Sequence, residues 1–168
     1  MIGVLFFLGA ATSAPTASPV WKLTVDGLGP ARIGMTRSQV TKALKSKLEG
    51  EAFDNEGHCL ELFPEREDLE GTYFMFLDGK LSRISIIEPS TVVTPRGIGV
   101  GSTADDIRKA YGAGLEISEH HYSGAPAEYL DYWLKGKRRG VRFETNTERK
   151  VVVFHAGDDS IGLVEGCA

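Results

Sequence analysis

The stretch Ile33-Gly34-Met35-Thr36-Arg37-Ser38-Gln39-Val40-Thr41-Lys42-Ala43-Leu44 returns, 67 residues further on, as Val100-Gly101-Ser102-Thr103-Ala104-Asp105-Asp106-Ile107-Arg108-Lys109-Ala110-Tyr111. Gly, Thr, Lys and Ala coincide, and the apolar positions agree in type. The same offset lays Phe74-Met75-Phe76 on Val141-Arg142-Phe143, and Ile84-Ser85-Ile86 on Val151-Val152-Val153. One offset that aligns a helix start and a later hairpin marks a duplicated unit. The chain therefore reads as two copies of one module, 21-93 and 94-168, sharing one compact domain.

Each copy opens with a Gly, then a Thr, then apolar residues at helical spacing. Thr36 is the expected N-cap of a helix over 37-47, with Val40, Ala43 and Leu44 on one face. Ser102 or Thr103 caps a second helix over 104-111, whose first turn carries Asp105 and Asp106, as the helix dipole favours. Helices this short are marginal alone and must pack on something flat. Residues 58-63, 71-77 and 81-87 read as strands in the first copy, and 127-134, 139-145 and 149-155 in the second. Asp78-Gly79 is a tight-hairpin signal, and Trp21 to Val25 reads as an added edge strand. The expected fold class is α+β: an antiparallel sheet of about six or seven strands from two tandem repeats, with short helices packed on one face. Alternation places Phe74, Phe76, Ile84, Ile86, Val141, Phe143, Val151 and Val153 toward the helices. Tyr73, Met75, Arg83, Ser85, Arg142, Glu144, Lys150 and Val152 then occupy the other face.

The 168 residues are 42% hydrophobic and 25% charged, with a formal net charge of -4. These values exclude a disordered, collagen-like or multi-span membrane protein. Acidic residues (23) outnumber Lys and Arg (19), and no basic run could track a phosphate backbone, which argues against a nucleic-acid partner. Ile2 to Ala11 form an uncharged apolar run followed by small residues to Ala17, the pattern of a signal peptide over 1-17. The run is too short to span a bilayer, and no Cys follows it, so no stable membrane anchor is expected. The mature chain is expected to be periplasmic or secreted. In such a compartment the two cysteines, Cys59 and Cys167, are expected to pair.

Motifs for chemistry are scarce. No zinc-type Cys spacing, H-E-x-x-H, Walker loop, EF-hand or G-x-S-x-G elbow occurs, and no cofactor or metal is expected. Gly99-Val100-Gly101-Ser102-Thr103-Ala104 fits a dinucleotide fingerprint in letters, but its flanks read as antiparallel strands rather than a βαβ unit. His155 with Asp158 and Asp159 is the one cluster on which a metal-binding or hydrolytic reading can be centred; the plainer reading is a solvated loop after a strand. Aromatic residues crowd the second copy. Tyr129 and Trp133 share one face of their strand, and Leu130, Tyr132 and Leu134 the other. One set joins the core and the other is exposed beside Arg142 and Lys150. Tyr, Trp and Arg are the residue types that anchor protein interfaces.

The unit Gly29-Pro30-Ala31-Arg32-Ile33-Gly34-Met35-Thr36, a short helix and a β-meander, repeated from Arg96-Gly97-Ile98-Gly99-Val100-Gly101-Ser102-Thr103, resembles the repeat of the β-lactamase inhibitory protein-like superfamily. In the inhibitor two tandem units form a curved sheet whose concave face grips an enzyme. The inhibitor carries a disulfide within each unit, whereas Cys59 and Cys167 lie in different copies, and no contact residue carries over. The expected function is a non-enzymatic protein-binding module, an inhibitor or immunity protein among its roles, using Tyr73, Met75, Arg83, Tyr129, Trp133, Arg142 and Lys150. Its partner would be a hydrolase, a toxin or an envelope component. An accessory role in cell-envelope assembly is the alternative. On this reading Trp133→Ala or Arg142→Ala abolishes capture and leaves the melting temperature nearly unchanged.

Overall fold

Alternating apolar residues and tight turns generate most of the structure, a computed structural model that describes residues 20–52, 57–136 and 138–167. The expected signal segment, 1-17, lies outside the described residues. In chain order the elements are β1 (Leu23–Thr24), β2 (Gly27–Leu28), β3 (Ala31–Arg32), α1 (Arg37–Leu44), β4 (Leu48–Ala52), β5 (Cys59–Pro64), β6 (Thr72–Leu77) and β7 (Lys80–Ile87). Then follow α2 (Ala104–Tyr111), β8 (Leu115–Glu119), β9 (Glu128–Trp133), β10 (Gly140–Thr145) and β11 (Val151–Gly157). The fold is α+β. Each half supplies one helix and then four strands, and the eight strands form one antiparallel sheet in the order β4-β5-β6-β7-β11-β10-β9-β8. The two halves meet at the β7–β11 pairing, where Ile86 opposes Phe154 and Ile84 opposes Ala156.

Both helices begin as their sequences dictate. Thr36 accepts a hydrogen bond from Gln39 N, and the Gln39 side chain answers at the backbone of Thr36; Thr103 and Asp106 repeat this capping box. Such a cap contributes about 1 kcal/mol. The helices lie on one face of the sheet, burying Val40 and Leu44 from α1 and Ile107 and Tyr111 from α2 against Phe74, Phe76, Ile84, Ile86, Phe143 and Phe154. Tyr111 packs tilted on Phe143 with ring centroids 5.3 Å apart.

Three departures from the sequence reading have physical causes. The sheet has eight strands, because β4 and β8 extend it at its two edges beyond the strands that alternation predicts. Both are outermost and glutamate-bearing, and β4 also has Gly50, so neither shows the apolar alternation of a central strand. Trp21 to Val25 does not extend the main sheet: β1 pairs with β2, and β2 with β3, in a separate three-stranded sheet. Each long hairpin also contains an extra residue near its turn. Met75 opposes Arg83 but Phe76 opposes Leu81, so Ser82 is the extra residue. Glu144 opposes Val153 but Thr145 opposes Val151, so Val152 is the extra residue. A bulge resets the alternation. Val153, expected in the core, therefore lies opposite Glu144 on the other face, and Phe154 takes the core position.

Candidate docking face

The face turned away from the helices is set by cross-strand pairing. One row runs Tyr73, Ser85, His155, Arg142, Asp131. The adjacent row runs Glu61, Met75, Arg83, Gly157, Gly140, Trp133. The expected docking residues on these rows are therefore correctly faced, but half of the surface is covered.

The cover is the C-terminal segment after β11. Asp158 caps a 3-10 turn over Asp159–Gly162, and the chain then crosses the second row. Arg83 donates to Leu163 O (2.8 Å) and Ser160 O (3.3 Å), and pairs with Glu61 at 3.1 Å. Arg142 Nη1 donates to Gly162 O at 3.3 Å. The Tyr122 hydroxyl donates to the Glu165 carboxylate. Gly166 lies so close to the Arg83–Glu61 pair that a Cβ there would come within 2.9 Å of Arg83 Nη2. The strap ends in the Cys59–Cys167 disulfide, the pairing expected from the cysteine count. Ile161 and the Trp133 ring both lie over Gly140, within 2.9 Å of where a Cβ there would sit.

This cover corrects the proposed surface. Met75, Arg83 and Tyr129 are 0%, 4% and 4% exposed, and no partner can reach them. Burial draws the Arg83 guanidinium below its ordinary range, against the pull of Glu61. Tyr129 stacks on the His120 ring at 4.6 Å, with the Arg142 guanidinium 4.6 Å from its ring. Arg142 is bidentate to Asp131 (2.8 and 2.6 Å), and only 13% and 11% of these two side chains are exposed. Trp133 is half-buried. Lys150 is exposed but sits beyond β11, bridged to Thr103 at the start of α2, and pairs with Glu148 at 3.1 Å. It borders the molecule's rim rather than the face.

His155 does not meet Asp158 and Asp159. It points into the sheet's second face, where Nδ1 lies 2.8 Å from Ser85 Oγ and Nε2 lies 2.9 Å from Glu144 Oε1. Asp158 instead accepts from Ser82 Oγ at 2.6 Å, and Asp159 pairs with Arg138. Among the described residues no group of three or more His, Cys, Asp or Glu side chains is placed to hold a metal ion. Burial holds the His155 imidazole below its ordinary value, so it is neutral, with Nε2–H donating to Glu144 and Nδ1 accepting from the Ser85 hydroxyl. Burial works against the Glu144 charge too, but the His155 hydrogen bond together with the fields of His155, His120 and Arg142 outweighs it and keeps the carboxyl below the usual range. His120 Nε2 stands 3.6 Å from the other Glu144 oxygen. A serine, imidazole and carboxylate in this order form a hydrolytic relay when the serine is open to substrate. Here Ser85 and His155 are 6% and 7% exposed, and neither lines any of the described clefts. The relay ties β7, β10 and β11 together across the junction of the halves. Sequence reading placed Ser85 and Glu144 on this face, but missed His155 because the bulge at Val152 shifts its phase.

What remains open is apolar. Phe63 packs edge-on against Tyr73, with ring centroids 6.4 Å apart, and is 45% exposed. Beyond them Ile87 opposes Val153, both half-buried, and the bulged Val152 is 41% exposed. Of the residues expected on the face, Tyr73 and Val152 belong to this area. Phe63 and Ile87 were missed, although alternation from Cys59 and from Arg83 would have found them.

No family model matches the sequence, and no curated protein matches it. Among solved structures, an extracellular protein containing a SCP domain from Bacillus anthracis is similar in fold, with a TM-score of 0.51 at 9% identity. The match covers 94% of this chain and 52% of that one, so the chain spans about half the length of the structure it resembles. At this identity the likeness is one of fold alone. No helix among the described residues is long and apolar enough to cross a membrane.

Proposed function

We propose that the protein is an exported, non-enzymatic binding module that docks another protein on the open part of its second sheet face. The observation that carries this reading is the cluster of Phe63, Tyr73, Ile87, Val152 and Val153 on a sheet whose helices cover only the other side. Aromatic and aliphatic side chains left uncovered on a rigid sheet are the usual anchors of a protein interface. The disulfide and the signal-like N-terminus support export, since such bonds persist in oxidising compartments. The resemblance of the repeat to β-lactamase inhibitory proteins makes a hydrolase the first partner class to test. The absence of any described cleft at Ser85 favours binding over hydrolysis.

Phe63→Glu and Val152→Glu place charges at exposed positions and leave the core intact. Immobilised wild-type protein is expected to capture a partner that the double variant does not, while Lys150→Glu captures it normally. Equal capture by the double variant would overturn the reading.

A further inference from the structure

The outermost strand of the C-terminal half, β8, pairs among the described residues only with β9. Its hydrogen-bonding phase follows from two independent contacts. His120 N donates to Ala127 O (3.1 Å) just beyond the Glu119–Glu128 pair, and Leu134 N donates to Arg139 O (2.8 Å) just beyond the Trp133–Gly140 pair. Antiparallel ladders alternate, so both contacts direct the backbone groups of Glu116 and Ser118 toward β9. Those of Ile117 and Glu119 point outward. Neither Ile117 nor Glu119 makes a backbone hydrogen bond outside the ladder among the described residues. Glu116, Ser118 and Glu119 are exposed, and Ile117 is 49% exposed. The opposite edge differs: on β4 the Leu48 carbonyl already accepts from Arg37 Nη2 at 2.6 Å.

Charge and apolar matching together favour one occupant in one register. A second β8 brought antiparallel about a two-fold axis at Ile117 sets Ile117 against Ile117, Glu116 against Ser118 and Leu115 against Glu119. No two carboxylates face each other, and the outward groups of both strands meet. Centring the axis on Glu116 or Glu119 would oppose two glutamates, and centring it on Ser118 keeps the hydrogen-bonding phase but sets each Ile117 against a Glu119 instead of against its apolar counterpart; an axis between residues would break the phase. Closure by a two-fold axis also leaves no free copy of this edge to propagate.

We infer that β8 is a self-association edge through which two copies of this chain join their sheets into one, with Ile117 on the axis. The contact is small, so the dimer is weak, with a dissociation constant on the order of tens of micromolar. It lies at the sheet's edge, apart from the proposed docking cluster on β5, β6, β7 and β11, and stands or falls independently of it.

Sedimentation equilibrium of the mature, disulfide-intact chain up to about 1 mM tests the inference. The register places residue 118 of each copy opposite Glu116 of the other. Ser118→Lys therefore creates two new ion pairs and is expected to tighten the dimer about tenfold, and Ser118→Glu to weaken it by a similar factor. Ser118 is exposed, and unchanged circular dichroism and urea midpoints would confirm that both variants fold. A chain that stays monomeric throughout the range would overturn the inference. So would a dimer indifferent to both substitutions, which would be joined elsewhere.

Discussion

Replacing both half-cystines, Cys59→Ala with Cys167→Ala, separates what the strap's covalent end contributes from what its hydrogen bonds contribute. The bond links positions 108 residues apart. For a loop of that length, restricting the unfolded chain stabilises the native state by about 4.8 kcal/mol at 25 °C in the chain-entropy model. With a urea dependence of about 2 kcal/mol per molar, the unfolding midpoint is expected to fall by about 2 M. Far-UV circular dichroism of oxidised wild type and the double variant across a urea series measures it. The variant should keep its sheet, because the core of Phe74, Ile86, Phe143 and Phe154 owes nothing to the bond. Faster amide exchange should appear in residues 163–167, which Arg83 and Tyr122 also hold, while Ser82 continues to tie Asp158 and Ser160. A midpoint loss worth less than about 1 kcal/mol would refute the reasoning, since it would mean that the closure does not restrict the unfolded chain.

Burial of neutral His155 makes stability depend on pH. Its native pKa lies below the ordinary 6.5, so the unfolded chain takes up a proton first. Stability present above pH 6.5 is lost as pH falls from there toward the native value, by up to about 1.4 kcal/mol per pH unit. Urea midpoints at pH 7.5 and 5.5 should differ in wild type and converge in His155→Asn; equal wild-type midpoints would contradict this. Arg142→Ala strands the buried Asp131 carboxylate and should cost about 3–5 kcal/mol, in place of the nearly unchanged melting temperature expected from sequence; a loss under about 1 kcal/mol would contradict it. Gly157→Ala puts a Cβ 2.1 Å from Ser82 O at the junction of the halves. It should cost about 2 kcal/mol or more, whereas Gly162→Ala, with nothing within 4 Å of its Cβ position, should be neutral in the same denaturation assay.

Local signals made much of the fold legible. Thr36 and Thr103 announce their helices because a capping box needs only four consecutive residues. Asp78-Gly79 announces its hairpin because both residues adopt positive φ, 48° and 73°. The sequence match at an offset of 67 residues suggests an arrangement that local signals lack. Three things escaped. The edge strands β4 and β8 look like loops because a strand with one neighbour and a glutamate-rich sequence has little apolar alternation to show. The bulge at Val152 is invisible in composition, and it alone moves His155 onto the second face. The strap is the largest omission. Leu163-Val164-Glu165-Gly166 has no periodicity, and only its long-range ties to Arg83 and Cys59 fold it over the sheet. The docking surface was therefore read with the right facing for Met75, Arg83 and Tyr129 and the wrong exposure.

That division of the second face into a strapped half and an open half is what hydroxyl-radical footprinting of the oxidised protein reads most directly. Met75 is intrinsically among the most reactive side chains, yet it should resist oxidation, as should Tyr129, while Met35, Phe63 and Tyr122 are labelled. Oxidation of Met75 as fast as Met35 would contradict the account, because the strap would then not cover the face.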